Sequence, residues 1–328
     1  MTTAGTIDWA GHLARAREIV AAALPVTPLV ESPGLGEGVL LKLESFQPTG
    51  SFKVRGALAA LTAAGDIDGV VTASSGNHAL GVAWAAQRLG IPATLVLPVS
   101  TSPAKLASLQ RFQVTVVIHG DGYEHAERHA RSLASTGLRY VSATSNPDVI
   151  AGQATIGGEL LAHLHGPFTV ACGVGGGALA SGLGLVSSQS GRMSVIGVEA
   201  AASLAMSTAV GAGEIVPVKV GETLADGLAG NLEPGIITVD LISRHVSRLI
   251  AVTEEQIAEA IRYLAREHGV IAEGSGAAPV AAILAGAIPV TGQTVAIITG
   301  RNITFEALTG VLRSGYRPGG PATNSHDA

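Results

Sequence analysis

Apolar and polar positions follow two rhythms along this chain. Short β-branched runs recur from about residue 39 to about residue 313, separated by Ala/Leu-rich stretches of helical length. That alternation is the pattern of βα units feeding a parallel sheet. The expected strands are 39–43, 69–73, 93–97, 114–118, 168–172, 194–199, 249–252 and 294–299. Residues 8–24 have the spacing of an amphipathic helix ended by Pro25, and 79–89 follows the 69–73 strand as a helix. Thr253 with Gln256 gives a capping-box start to a helix reaching His268. So many strands would make one open twisted sheet large, so two sheets are expected. The tight strand-helix succession over 67–147 predicts a small inserted domain, with 1–66 and 148–316 forming a large one. The Pro/Gly-rich polar end, 317–328, reads as a mobile tail.

Composition narrows the function classes. Of 328 residues 47% are apolar and 14% charged, against about 25% charged in ordinary usage, which argues against long disorder. The net charge of −5 is spread without blocks and offers nothing to nucleic acid or a membrane surface. A small-molecule partner is expected. Cys172 is the sole cysteine, so no intrachain disulfide can form and a reducing, cytoplasmic setting follows. The N-terminal residues carry Asp8 and lack a secretory pattern, and the longest apolar stretch, 277–290, is too short and Pro-interrupted to span a bilayer.

Lysine is scarce, with Lys42, Lys53, Lys105 and Lys219 the complete set. Lys53 follows a Pro-Thr-Gly-Ser-Phe turn at the start of an apolar helix, where poor solvation would lower its pKa and free the amine for Schiff-base chemistry. Taken alone, it reads more readily as a helix-start lysine whose stem lies on the core and whose head reaches water. Three strand-end loops bear on the choice. Gly175-Gly176-Gly177-Ala178-Leu179 follows a strand and opens a helix, which suits a phosphate cradle. Ser74-Ser75-Gly76-Asn77-His78 offers hydroxyls, an amide and backbone donors at a helix start, with simple capping by Ser75 or Asn77 as the alternative. Thr299 places a hydroxyl at the carboxyl end of the last strand.

An amine, a phosphate cradle, an anion loop and a neutral hydroxyl are together what pyridoxal 5'-phosphate needs. Lys53 would take its aldehyde, residues 175–179 its phosphate, Asn77 its phenolic oxygen and Thr299 its ring nitrogen. The rival is a nicotinamide oxidoreductase, because 173–178 also fits Gly-x-Gly-x-x-Ala and Glu199 ends the next strand where a ribose-binding acid would stand. That reading leaves Lys53 and the Ser-Ser-Gly-Asn-His loop without a role.

The segment 42–57, Lys-Leu-Glu-x-x-Gln-x-Thr-Gly-Ser-Phe-Lys-x-Arg-Gly-Ala, with Ser74-x-Gly-Asn-His78, Asp148-Val-Ile-Ala-Gly-Gln153 and the Gly-rich loop, resembles the serine/threonine dehydratases and serine racemases. The resemblance spans roughly residues 20–313. It implies an α/β fold with two parallel-sheet-based domains, the fold-type II (tryptophan synthase β-like) arrangement, and a homodimer. It implies Lys53 as Schiff-base lysine with Phe52 against the ring, and Gly175, Gly176, Gly177, Ala178 and Leu179 at the phosphate. Ser74, Gly76, Asn77 and His78 match the substrate-carboxylate loop, Asn77 also facing the phenolic oxygen. Ser75 stands where racemases place a second catalytic hydroxyl. Thr299 replaces a serine at the ring nitrogen, and Arg301 replaces a usual glycine. Glu199 matches one ligand of a divalent-cation site, but Ala205 stands where a second carboxylate is expected, so no metal is assigned. The implied reaction is α,β-elimination of a 3-hydroxy amino acid to a 2-oxo acid and ammonia. Serine, threonine, hydroxyaspartate, phenylserine and a hydroxylated compatible-solute intermediate are not distinguished, and an amino-acid racemase is the alternative on the same scaffold.

Overall fold

A computed structural model describes residues 7–135 and 137–313. The expected tail, 317–328, lies outside the described residues, as do the outermost residues of the expected large domain. Ten strands among the described residues form two sheets: β1 (Leu29–Glu31), β2 (Val39–Lys42), β3 (Val70–Ala73), β4 (Ala93–Leu97), β5 (Thr115–Ile118), β6 (Arg139–Tyr140), β7 (Phe168–Gly173), β8 (Met193–Ala200), β9 (Arg248–Val252) and β10 (Thr294–Ile297). The larger sheet runs β1-β2-β10-β7-β8-β9, parallel from β2 to β9, with β1 antiparallel at its edge. The smaller, β5-β4-β3-β6, is wholly parallel. Strands such as Val-Val-Thr-Ala of β3 and Thr-Val-Ala-Ile of β10 are buried along their whole length, as strands covered by helices on both faces must be.

Eight strands were expected where ten occur. The two additions are β1, a three-residue edge strand, and β6, two residues long, each too short to show a period. The first helix, Trp9–Ala23, starts one residue after the expected position because Asp8 serves as its cap, its side chain accepting from Gly11 N–H.

Helix Lys53–Ala63 is held from three sides. It crosses helix Pro147–His163 at backbone contact: a Cβ on Gly152 would lie 2.6 Å from the Arg55 carbonyl oxygen and from Gly56 Cα. Helix Asn77–Leu89 presses on its first turn, where a Cβ on Gly81 would come within 3.0 Å of the Lys53 carbonyl oxygen. Beneath it lies a buried charge network. Arg55, fully enclosed, forks onto Glu44 at 2.7 and 2.8 Å and reaches Glu159 at 2.6 Å. Lys42 donates to Glu159 at 2.6 Å and to the Thr27 carbonyl at 2.8 Å. Burial alone would lower the Arg55 pKa, but Glu44 and Glu159 outweigh it and the net shift is upward. The charged residues of the 42–57 segment other than Lys53 therefore fasten the lysine's helix to β2.

Candidate active site

A cavity of about 1140 Å³ lies between the two sheets. Its walls are loops leaving strand carboxyl ends: 73–78 after β3, 121–125 after β5, 143–144 after β6, 173–179 after β7 and 299–305 after β10. Open parallel sheets bind ligands at this end because connections diverge there and helix N-termini point inward.

Lys53 enters from the turn after β2. Gly50 N–H donates to the Gln47 carbonyl at 2.8 Å, Phe52 N–H to the Thr299 carbonyl at 3.0 Å, and Arg301 N–H to the Gly50 carbonyl at 2.9 Å. These bonds carry the turn onto the end of β10, so Lys53 and Thr299 line one cavity. Lys53 Nζ lies 5.3 Å from the centre of the Phe52 ring and makes no hydrogen bond among the described residues. Burial lowers its pKa from 10.5 to about 8, against the opposing pull of Glu233 and Glu273.

The Gly-rich loop supplies the donors expected of it. Gly177 sits at φ +83°, a left-handed conformation that suits glycine, and caps helix Ala178–Ser190 without a side-chain bond. The N–H groups of Gly175, Gly176, Gly177, Ala178 and Leu179 have no protein acceptor among the described residues. A Cβ on Gly177 would meet Ile242 Cδ1 at 2.6 Å, so the loop is packed in place from behind.

The 74–78 loop differs from a simple capping arrangement. Gly76 is the cap of helix Asn77–Leu89 and no side chain bonds to that helix start, so neither Ser75 nor Asn77 caps it. Ser74 Oγ accepts from Gly76 N–H at 3.2 Å. The Ser75 hydroxyl has no hydrogen-bond partner among the described residues and lines the cavity. His78 is 3% exposed, and its Nε2–H donates to the Val141 carbonyl at 3.1 Å. Burial, and then the nearby Lys53 charge, take its pKa down to about 3, so it is neutral with Nδ1 unpartnered. Asn77 donates to Glu273 Oε1 at 2.7 Å and accepts from Asn302 Nδ2 at 2.6 Å.

Glu273, Ser275, Asn302 and Glu233 line the cavity without having been singled out in the sequence. Ser275 Oγ is buried and unpartnered. Glu233 bonds Tyr123 at 3.0 Å and Arg131 at 3.1 Å, tying the loop before helix Thr238–His245 to the smaller sheet's side. Arg301 is exposed at the rim, its guanidinium 5.8 Å from the Phe46 ring centre. Glu199 accepts from Met206 N–H at 2.9 Å and Ser207 N–H at 3.1 Å, so its carboxylate is committed to the start of helix Ala205–Ala212. That bonding removes the ribose acid on which the nicotinamide alternative rested. Cys172 is buried in β7, and burial pushes its thiol up to about 12.

The pyridoxal-phosphate dependent enzyme family matches residues 20–300. The chain belongs to that family. It is 40% identical over 286 residues to an L-threonine ammonia-lyase of Thermotoga maritima, covering 85% of this chain and 71% of the relative. Among solved structures, the processed form of threonine deaminase isoform 2 from Solanum lycopersicum superposes with a TM-score of 0.85 at 31% identity, covering 92% of each chain. Maize serine racemase gives a TM-score of 0.85 at 27% identity, covering 91% of this chain and 95% of that one. These relatives fit the expected fold-type II architecture and the pyridoxal-phosphate requirement. The residues present also fit that group chemically: five backbone donors lack acceptors among the described residues, a lysine amine is unbonded in the same cavity, and Ser275, on its wall, holds a buried hydroxyl without a partner. Among the described residues no helix is long and apolar enough to cross a membrane.

Proposed function

We propose that this protein is an ammonia-lyase that dehydrates and deaminates an L-3-hydroxy amino acid, threonine or serine, to a 2-oxo acid and ammonia. The observation that carries the reading is the pairing, in one cavity, of an unbonded low-pKa Lys53 amine with the free N–H row of residues 175–179. The ammonia-lyase and deaminase relatives support it.

Gly175, Gly176, Gly177, Ala178 and Leu179 would hold the cofactor phosphate, Lys53 its aldehyde carbon, Asn77 its phenolic oxygen and Thr299 its ring nitrogen, with Phe52 beside the ring. Bound there, pyridoxal phosphate supplies an electron sink that acidifies the substrate's α-carbon. Ser74, Gly76 and Asn77, at the start of helix Asn77–Leu89, orient the substrate carboxylate through hydroxyl, backbone and amide donors and the helix dipole. His78 lies behind them; neutral and tied to Val141, it shapes the loop rather than adding a charge. Lys53 Nζ, neutral above about pH 8, takes the α-proton. Loss of that proton and the β-hydroxyl as water, followed by hydrolysis, yields oxo acid and ammonia. Thr299, on the cavity wall, would offer the ring nitrogen a hydroxyl and no negative charge, an environment that suits elimination. The same reading includes a large domain of residues 1–66 and 148–316, a small one of 67–147, a cytoplasmic location and a homodimer.

A second reading, amino-acid racemisation, is favoured by the cavity-facing Ser75 hydroxyl and the likeness to maize serine racemase. One assay separates them: oxo-acid release and chiral analysis of recovered substrate, run together on L-serine, L-threonine and other L-3-hydroxy amino acids. Oxo acid in excess of D-isomer supports the lyase; D-isomer in excess supports the racemase; neither product overturns both.

A further inference from the structure

Glu273 stands at the end of a one-directional chain of hydrogen bonds that runs through Asn77. The chain begins at the Thr49 carbonyl, which can only accept and receives Asn302 Nδ2–H at 2.9 Å. The second hydrogen of that amide goes to Asn77 Oδ1 at 2.6 Å. Asn77 must then turn its NH2 the other way, to Glu273 Oε1 at 2.7 Å. The other oxygen, Oε2, accepts from the Asn302 backbone N–H at 3.1 Å. Both Glu273 oxygens therefore face donors, an arrangement that only an ionised carboxylate satisfies completely. One Asn77 Nδ2 hydrogen has no acceptor among the described residues.

The surroundings are built around this carboxylate. Glu273 is 6% exposed, and its backbone N–H donates to the Gly300 carbonyl at 3.0 Å. Any Cβ at residue 300 would collide with Glu273 Oε1. Its charged neighbours are Lys53, from the lysine's helix, and the Lys105–Asp226 ion pair, closed at 2.7 Å. Burial foremost, then Asp226, raise its pKa from 4.5 to about 7, while the Asn77 and Asn302 bonds and Lys105 act in the opposite sense.

We propose that Glu273 is a positioning residue that, as a carboxylate, holds the Asn77 amide with its free N–H aimed at the phenolic oxygen of the cofactor. This inference rests on the pyridoxal-phosphate reading above. In Glu273→Gln the new amide places a donor against either the Asn302 N–H or the Asn77 NH2. Turning Asn77 over only moves the donor–donor contact to Asn302 Nδ2.

The test uses purified full-length protein loaded with pyridoxal phosphate. Its readouts are the cofactor dissociation constant and the pH midpoint of the visible absorption band, with apo-protein melting as the folding control. Glu273→Gln should bind the cofactor about tenfold more weakly, the scale of one lost hydrogen bond to a charged group, and move the midpoint by about one unit. Glu273→Asp, which keeps the charge, should recover part of both. Asn302→Ala frees Asn77 from the other side without altering the charge and should weaken binding in the same direction. It decides the matter if Glu273→Gln does not fold. The proposal is overturned by unchanged affinity and midpoint in Glu273→Gln, by weaker affinity with an unmoved midpoint, or by an Asn302→Ala protein that binds as the parent does. A parent protein that never develops the visible band overturns the cofactor reading itself, which separates the two failures.

Discussion

The amide N–H of Phe52 donates to the carbonyl of Thr299 at 3.0 Å, joining the residue before the lysine to the segment that leaves β10, two residues past its end at Ile297. Because the bond is main chain to main chain, the Thr299 side chain is free to face the cavity. Thr299→Ala should therefore leave folding intact and lower turnover about tenfold, the effect of one hydrogen bond in a site shielded from water. Melting curves and oxo-acid release check the two halves. Unchanged turnover would remove Thr299 from the site.

Lys53 holds its proton less tightly than an exposed lysine. Capture of pyridoxal phosphate by the apo protein requires the neutral amine, so its rate should rise with pH and level off above about 8, standing near a tenth of its plateau at pH 7. An ordinary lysine would still be gaining rate at pH 9. The sign for stability follows from the same depression: between about pH 8 and 10.5 the unfolded chain carries the proton and the folded chain does not. Apo-protein stability from this group thus rises across that window. Stopped-flow absorbance and urea titrations measure the two effects.

Arg55 is enclosed with two carboxylates, and removing it strands both. Arg55→Ala should cost about 3–5 kcal/mol in unfolding free energy. Arg55→Lys should recover little, since an ammonium cannot fork onto Glu44 as the guanidinium does. A loss below about 1 kcal/mol in urea unfolding would show that the network is dispensable.

Ser75 has a hydroxyl in the cavity but no hydrogen-bond partner among the described residues to draw off its proton. A serine without such help is a poor base. Elimination should therefore outrun racemisation, and Ser75→Ala should abolish D-isomer formation while keeping oxo-acid release within about threefold. Chiral chromatography of recovered substrate reports this directly; D-isomer persisting in the alanine variant would assign the proton transfer elsewhere.

The strand-end loops at 74–78, 175–179 and 299–301 were legible because each joins a short apolar run to a Gly- or Ser-rich turn, whereas the walls at 121–125 and 143–144 were not, the latter following the two-residue β6. Lys53 was legible through its turn and the rarity of lysine. Glu273 was not. Its importance arises from contacts with Asn77, Asn302 and Gly300, all distant in the chain, and its one local sign is an acid standing alone before the small-residue run Gly274-Ser275-Gly276-Ala277. His78 gave the opposite error of emphasis: the sequence shows a helix-start histidine, and only the Val141 contact across to the end of β6 reveals a neutral, buried ring. Arg55, Glu44 and Lys42 belong to the most specific stretch of the sequence, yet their role is to brace the site from below.

Borohydride reduction of the cofactor-loaded protein, followed by peptide mass mapping, tests the central claim most directly, because reduction fixes the pyridoxyl group on whichever amine holds it. A single labelled peptide carrying Lys53 is expected, with no label and no oxo-acid release from L-threonine in Lys53→Ala. A label on Lys42, Lys105 or Lys219 in the parent protein, or turnover by Lys53→Ala at the parent rate, would contradict it.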